Sequence, residues 1–140
     1  SYLNLVNLIK TDSKNSKINM YDSDSIQGKL HFAKDKMTYD YIERNYINPK
    51  YETFCPAGRL FGIIGAQGQV YACEILDKDI VGMLRENNYN FMKIWNSNKN
   101  NSLRKKIKDT NCNCTYDCAL SFNFLSSPKY QPRFLISLFK

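Results

Sequence analysis

The chain opens on an apolar run, Tyr2-Leu3-Asn4-Leu5-Val6-Asn7-Leu8-Ile9, whose rough alternation with period two predicts a strand. The polar stretch from Thr11 to Ser25, rich in Ser, Asp, Lys and Asn, predicts a loop or linker. From Phe32 to Tyr46 the apolar positions Phe32, Ala33, Met37, Tyr41 and Ile42 fall at mostly helical spacing, and Asn48-Pro49 supplies a stop, so an amphipathic helix is expected there. Residues 60–64 and 69–75 are two β-rich runs on either side of Gly65-Ala66-Gln67-Gly68, which predicts a hairpin with Cys55 ahead of it and Cys73 on its second strand. Helical spacing returns from Asn90 to Ser97, where Phe91, Ile94 and Trp95 make one face, and again from Asn98 to Lys108 with Leu103 and Ile107. A cysteine-rich run, Asn111 to Cys118, follows, and then a tail with Pro128 and Pro132 before an apolar end, Phe134 to Phe139, expected as a short docking helix. The predicted class is α+β: a small hairpin followed by helices and a cysteine-rich loop.

Composition changes this picture little. A chain of 140 residues, 43% hydrophobic and 14% aromatic, is about one domain and can bury a core, which excludes a disordered tail. The 20 Lys and Arg against 13 Asp and Glu give +7, a balance that raises nucleic acid or an anionic membrane as partner. The basic residues are scattered, however, and the one dense run, Arg104, Lys105, Lys106 and Lys108, reads as the solvated face of a helix. Neither nucleic acid nor a membrane is expected as partner. No stretch approaches the roughly 18 apolar residues of a membrane span, and Ser1 to Lys10 has no signal-peptide pattern, so a soluble cytoplasmic protein is expected. The absence of an initial Met and the immediate apolar run suggest a piece of a longer protein.

The candidate chemistry lies in the cysteines. All five, Cys55, Cys73, Cys112, Cys114 and Cys118, fall between positions 55 and 118, as one pair and one tight trio. Disulfides, zinc and an iron-sulfur cluster compete for such a set. Disulfides call for an oxidising compartment and usually an even count, and the chain has neither an export signal nor an even number. Structural zinc calls for four ligands in a compact tetrahedron, often from CxxC knuckles; none occurs, although Cys55, Cys73 and two of the trio could still make an all-thiolate zinc site. A 4Fe-4S cube takes four thiolates around a larger object, which suits ligands from a hairpin and a separate loop. His31 is the only histidine, so with no second one to share a metal it reads as a solvent-facing or capping residue.

The segment Cys55-Pro56-Ala57-Gly58-Arg59, followed by Gly68-Gln69-Val70-Tyr71-Ala72-Cys73, resembles the SPASM and twitch domains of radical S-adenosylmethionine enzymes. Downstream, Val81-Gly82-Met83-Leu84-Arg85 resembles that family's Gly-Asn-Leu-Arg stretch, Lys93-Ile94-Trp95-Asn96-Ser97 its Ile-Trp helix, and Cys112, Cys114 and Cys118 its closing cysteine cluster. Two features depart from the pattern. Met83 stands where Asn is usual, and the trio is shorter than the run found in domains that hold two clusters, which argues for a single cluster.

The resemblance implies one auxiliary 4Fe-4S cluster held by Cys55, Cys73 and two of Cys112, Cys114 and Cys118. It further implies that residues 1–50 are the last strand and helix of a partial β/α barrel with its bridging segment, and that residues 51–140 are the cluster domain with its docking tail. The CxxxCxxC loop that binds the catalytic cluster and S-adenosylmethionine is absent, so this chain is not catalytic alone. The partners implied are the upstream barrel, a peptide, protein or small-molecule substrate, and an electron donor such as flavodoxin or ferredoxin.

Overall fold

The computed structural model describes every residue except 16, 19, 20, 23, 24, 138 and 140. In chain order its elements are α1 (Tyr2–Lys14), α2 (Ile26–Ile47), β1 (Ile63–Ile64), β2 (Gln69–Tyr71), β3 (Ile80–Met83), α3 (Phe91–Trp95), α4 (Asn98–Asp109), α5 (Asp117–Ser126) and α6 (Gln131–Ser137). The class is α+β, as expected. The elements fall into two compact units, one of Ser1–Lys50 with Cys114–Lys140 and one of Tyr51–Asn113. Residues 114–140, attached by sequence to the cluster domain, thus group with the first fifty.

The first unit is helical throughout. Tyr2 to Ile9 lies in helix α1, not in the strand its alternation suggested, so the strand expected of a barrel remnant does not form. The same run also satisfies helical spacing, since Tyr2, Leu5, Val6 and Ile9 stand at i, i+3, i+4 and i+7. Val6 is the residue that α1 buries, while Leu5 and Leu8 stay exposed. The expected loop begins only after Lys14, and residues 16, 19, 20, 23 and 24 of it lie outside the described residues.

Helix α2 starts earlier than its apolar spacing indicated, because Ser25 is a competent cap: its Oγ accepts from the Gly28 N–H at 2.9 Å. His31 consequently sits within the helix, and its ring stacks on Tyr21 at a centroid distance of 4.8 Å. Along α2, Met37 and Tyr41, and beside them Thr38 and Ile42, recur four residues apart and make the buried stripe. This stripe joins Val6, Leu120, Phe124, Tyr130 and Phe134 in one apolar cluster. Its aromatics meet edge to face, Tyr41 with Phe124 at 5.5 Å and Phe124 with Tyr130 at 4.6 Å, the arrangement that ring quadrupoles favour. Helix α5 was not anticipated; α6 supplies the expected tail helix, with Leu138 outside the described residues.

The second unit is built on the hairpin. Strands β1 and β2 pair antiparallel, Ile63 opposite Tyr71 and Ile64 opposite Val70, around the Gly65–Gly68 turn. Strand β3, which sequence reading did not separate from its surroundings, adds to the other side of β2. Val70, at the centre of the sheet, is fully buried. Helices α3 and α4 form where predicted, each capped by a side chain: Asn90 Oδ1 accepts from the Lys93 N–H and Ser97 Oγ from the Asn100 N–H. Ile94, Leu103 and Ile107 carry the helices onto the sheet. Trp95 packs over Gly62, where an added Cβ would lie 2.6 Å from the indole, so that position admits no side chain without displacing the ring.

Candidate metal centre

Each cysteine is delivered by a recognisable local device. Cys55 precedes a tight turn in which the Arg59 N–H donates to the Pro56 carbonyl at 2.9 Å. Gly58 occupies the third position of that turn with φ of 72°, the left-handed conformation that a type II turn requires and that glycine adopts without strain. Cys73 does not lie on the second strand as expected. Strand β2 ends at Tyr71, and Cys73 stands in extended conformation two residues later, at the N-cap of a 3-10 turn, Glu74–Leu76.

Cys112 is set by the end of α4. The Cys112 N–H donates to the Ile107 carbonyl at 3.0 Å and the Asn111 N–H to the Lys108 carbonyl at 3.1 Å, while Asn111 takes a left-handed φ of 48°. These are the two bonds and the left-handed residue of a Schellman cap, which turns the chain back on the helix and seats Cys112 over Ile107. Cys114 lies in the segment that follows, and Cys118 is exposed in the first turn of α5.

Of the five predicted ligands, three therefore belong to one unit. Cys73 is buried in the second unit's core, and Cys55 and Cys112 pack against the same cluster. Cys55 and Cys112, 57 positions apart in sequence, bring their thiols into contact: the Cys55 thiol hydrogen-bonds to Cys112 and lowers that thiol from its ordinary 9.0 to about 6, against the upward push of burial. A thiolate is the form of cysteine that ligates metal. Cys114 and Cys118 belong to the other unit. None of the five forms a disulfide.

Among the described residues no three or more His, Cys, Asp or Glu side chains draw together closely enough to hold a single metal ion. An iron-sulfur cube makes a different demand, since each of its irons takes its own thiolate and the sulfurs stand apart around the inorganic core. Three thiols on one core, two of them in contact at its edge, fit that donor chemistry.

Sequence reasoning missed two residues that hold the Cys55 turn. Asn100 is fully buried, and its Nδ2 donates to the carbonyls of Gly58 at 3.2 Å and of Trp95 at 2.7 Å. Arg104, read by sequence as part of a solvated basic face, donates to the same two carbonyls, from Nε to Gly58 at 2.5 Å and from Nη2 to Trp95 at 2.9 Å. Within the rest of that basic run, Lys105 and Lys108 are exposed and Lys106 pairs with Asp79 at 2.9 Å. A signal was present: Arg104 lies four residues after Asn100 and three before Ile107, on the side of α4 that is buried.

Residues 55–119 match the SPASM family, described as an iron-sulfur cluster-binding domain. The matched segment contains all five cysteines. Among curated proteins and among solved structures the chain has no significant match.

Proposed function

We propose, from the premise that residues 55–119 carry a SPASM-type iron-sulfur cluster-binding domain, that the chain holds one auxiliary 4Fe-4S cluster serving a radical S-adenosylmethionine core. The observation that carries this reading is the convergence of Cys55, Cys73 and Cys112 on one core from three separate local devices. These three, with Cys114 or Cys118, are the proposed ligands. Bound there, the cluster would supply one-electron transfer to or from a substrate radical, or a covalent tie that folds a domain closing the substrate site.

The chain's own part is to present thiolates and to shield them. Val70, Ala72, Ala57 and Ile107 keep water from the side of the thiols that faces the core. The turn after Cys55 and the Schellman cap before Cys112 fix, by their own backbone hydrogen bonds, the main chain from which these two thiols are presented.

The radical chemistry itself, with S-adenosylmethionine and its CxxxCxxC loop, belongs to a barrel outside these residues. Full thiolate ligation favours electron transfer or structural support over direct substrate binding, with a peptide or protein preferred to a small molecule as the parent enzyme's substrate and a flavodoxin or ferredoxin as donor. Unbridged cysteines suit a reducing, cytoplasmic setting; no described helix is long and apolar enough to cross a membrane.

The test is anaerobic purification of the full chain. The expected product is brown, bleaches with dithionite, and carries about four iron and about four sulfide per chain. A colourless protein with one tightly bound zinc would instead establish a zinc-binding interaction module.

A further inference from the structure

Arg104 is a part-buried cation whose acceptors are all neutral. Its guanidinium spans the carbonyls of Gly58 and Trp95 and the Asn101 Oδ1 at 2.9 Å, and it stacks over the Trp95 ring at 5.5 Å. Among the described residues no carboxylate pairs with it, nor with the neighbouring Arg59. Burial, and behind it the positive charge of Arg59, makes its proton easier to lose, the opposite of what a carboxylate partner would do. Two guanidinium groups without a counter-anion thus stand at the turn that carries Cys55.

The same turn leaves no room for another arrangement. A Cβ on Gly58 would meet Asn100 Oδ1 at 3.0 Å and Arg104 Cγ at 3.5 Å, so α4 lies directly against the turn's backbone. Asn100 Oδ1 is itself buried without a hydrogen-bond partner, which costs stability. Both polar side chains of this face of α4 are committed to fixing where Gly58, and with it Cys55, can sit.

We propose that Arg104, with Asn100, is a positioning residue of the cluster site: it fixes the Cys55 turn through the Gly58 carbonyl and holds an unneutralised positive charge beside it for the anionic cluster. This rests on the iron-sulfur reading above. Four thiolates and a 4Fe-4S core carry net negative charge, which grows by one on reduction, so a fixed cation nearby favours the reduced state and raises the potential. A merely structural Arg104 would affect stability and leave the potential where it was.

The experiment compares Arg104→Gln with Arg104→Lys in the full chain, each reconstituted anaerobically, by iron content and by redox titration followed spectroscopically. Gln keeps a donor for the Gly58 carbonyl and removes the charge. Its one-electron reduction equilibrium is expected to weaken about tenfold, a potential more negative by about 59 mV. Lys keeps the charge and loses the planar fork, and its equilibrium is expected to move less than about threefold. Equal potentials in wild type, Gln and Lys variants would overturn the proposal while leaving the cluster reading intact. Wild-type chain without iron would end both. If the Gln variant holds no iron, the exposed Arg59→Gln decides, since it lies outside the clamp: a shift in the same negative direction supports the proposal and an unchanged potential overturns it.

Discussion

The two units of this chain are held together by different means. The helical unit fills its core with large side chains, Tyr41, Phe124, Leu120, Tyr130 and Phe134. The sheet unit, of about 60 residues, is at the size where a hydrophobic core alone is marginal. Its buried apolar residues are smaller, Ala57, Val70, Ala72, Val81, Ile94 and Ile107, and the unit adds polar bonds from Asn100 and Arg104 and three cysteines against one core. A unit so built is one that gains from an inorganic centre, because each thiolate bond would join segments far apart in the chain.

The largest effect that would sharpen this contrast is removal of iron. Stripping a reconstituted protein with a chelator is expected to abolish hydrogen-exchange protection across much of residues 51–113, while the amides of α2 keep theirs. Equal loss in both units would break the comparison. Next in size is Phe124→Ala, which empties a fully buried site of the helical unit and should cost about 3–5 kcal/mol in denaturant unfolding of that unit. The iron content of this variant should stay at the wild-type value.

Gly58→Ala comes third. It places a side chain at φ of 72° and against Asn100, so a loss of at least about 1–2 kcal/mol is expected in the sheet unit, with reduced iron uptake. Smallest is Lys10→Met. Lys10 bridges Asp40 at 2.7 Å and Glu43 at 2.6 Å on the surface of the helical unit, and its removal should change stability by less than about 1 kcal/mol, measured by thermal unfolding.

Much of the sheet unit was legible in its sequence. Gly65 and Gly68 between β-rich runs located the hairpin, and Asn90 and Ser97 mark helix starts that the structure uses. Strand β3 escaped because four residues with a glycine among them carry little periodicity. The helical unit was harder to read. Tyr2 to Ile9 fits both the period of a strand and that of a helix, and only packing of Val6 decides between them. Helix α5 begins at Asp117 after Tyr116, which gives no side-chain cap, and takes in Cys118, so no start signal marks it. The cysteines announced themselves by spacing. Arg104 did not, because an inward-facing arginine and a solvated one look alike until the carbonyls they meet are known.

The central claim, that thiolates from both ends of the sheet unit close on one inorganic cube, is tested most directly by native mass spectrometry of the anaerobically reconstituted full chain beside its Cys55→Ser and Cys73→Ser variants. The predicted result is a single mass increment of one 4Fe-4S unit in the wild type and none in either variant. A zinc-sized increment in the wild type, or a cluster increment that survives both substitutions, would contradict it.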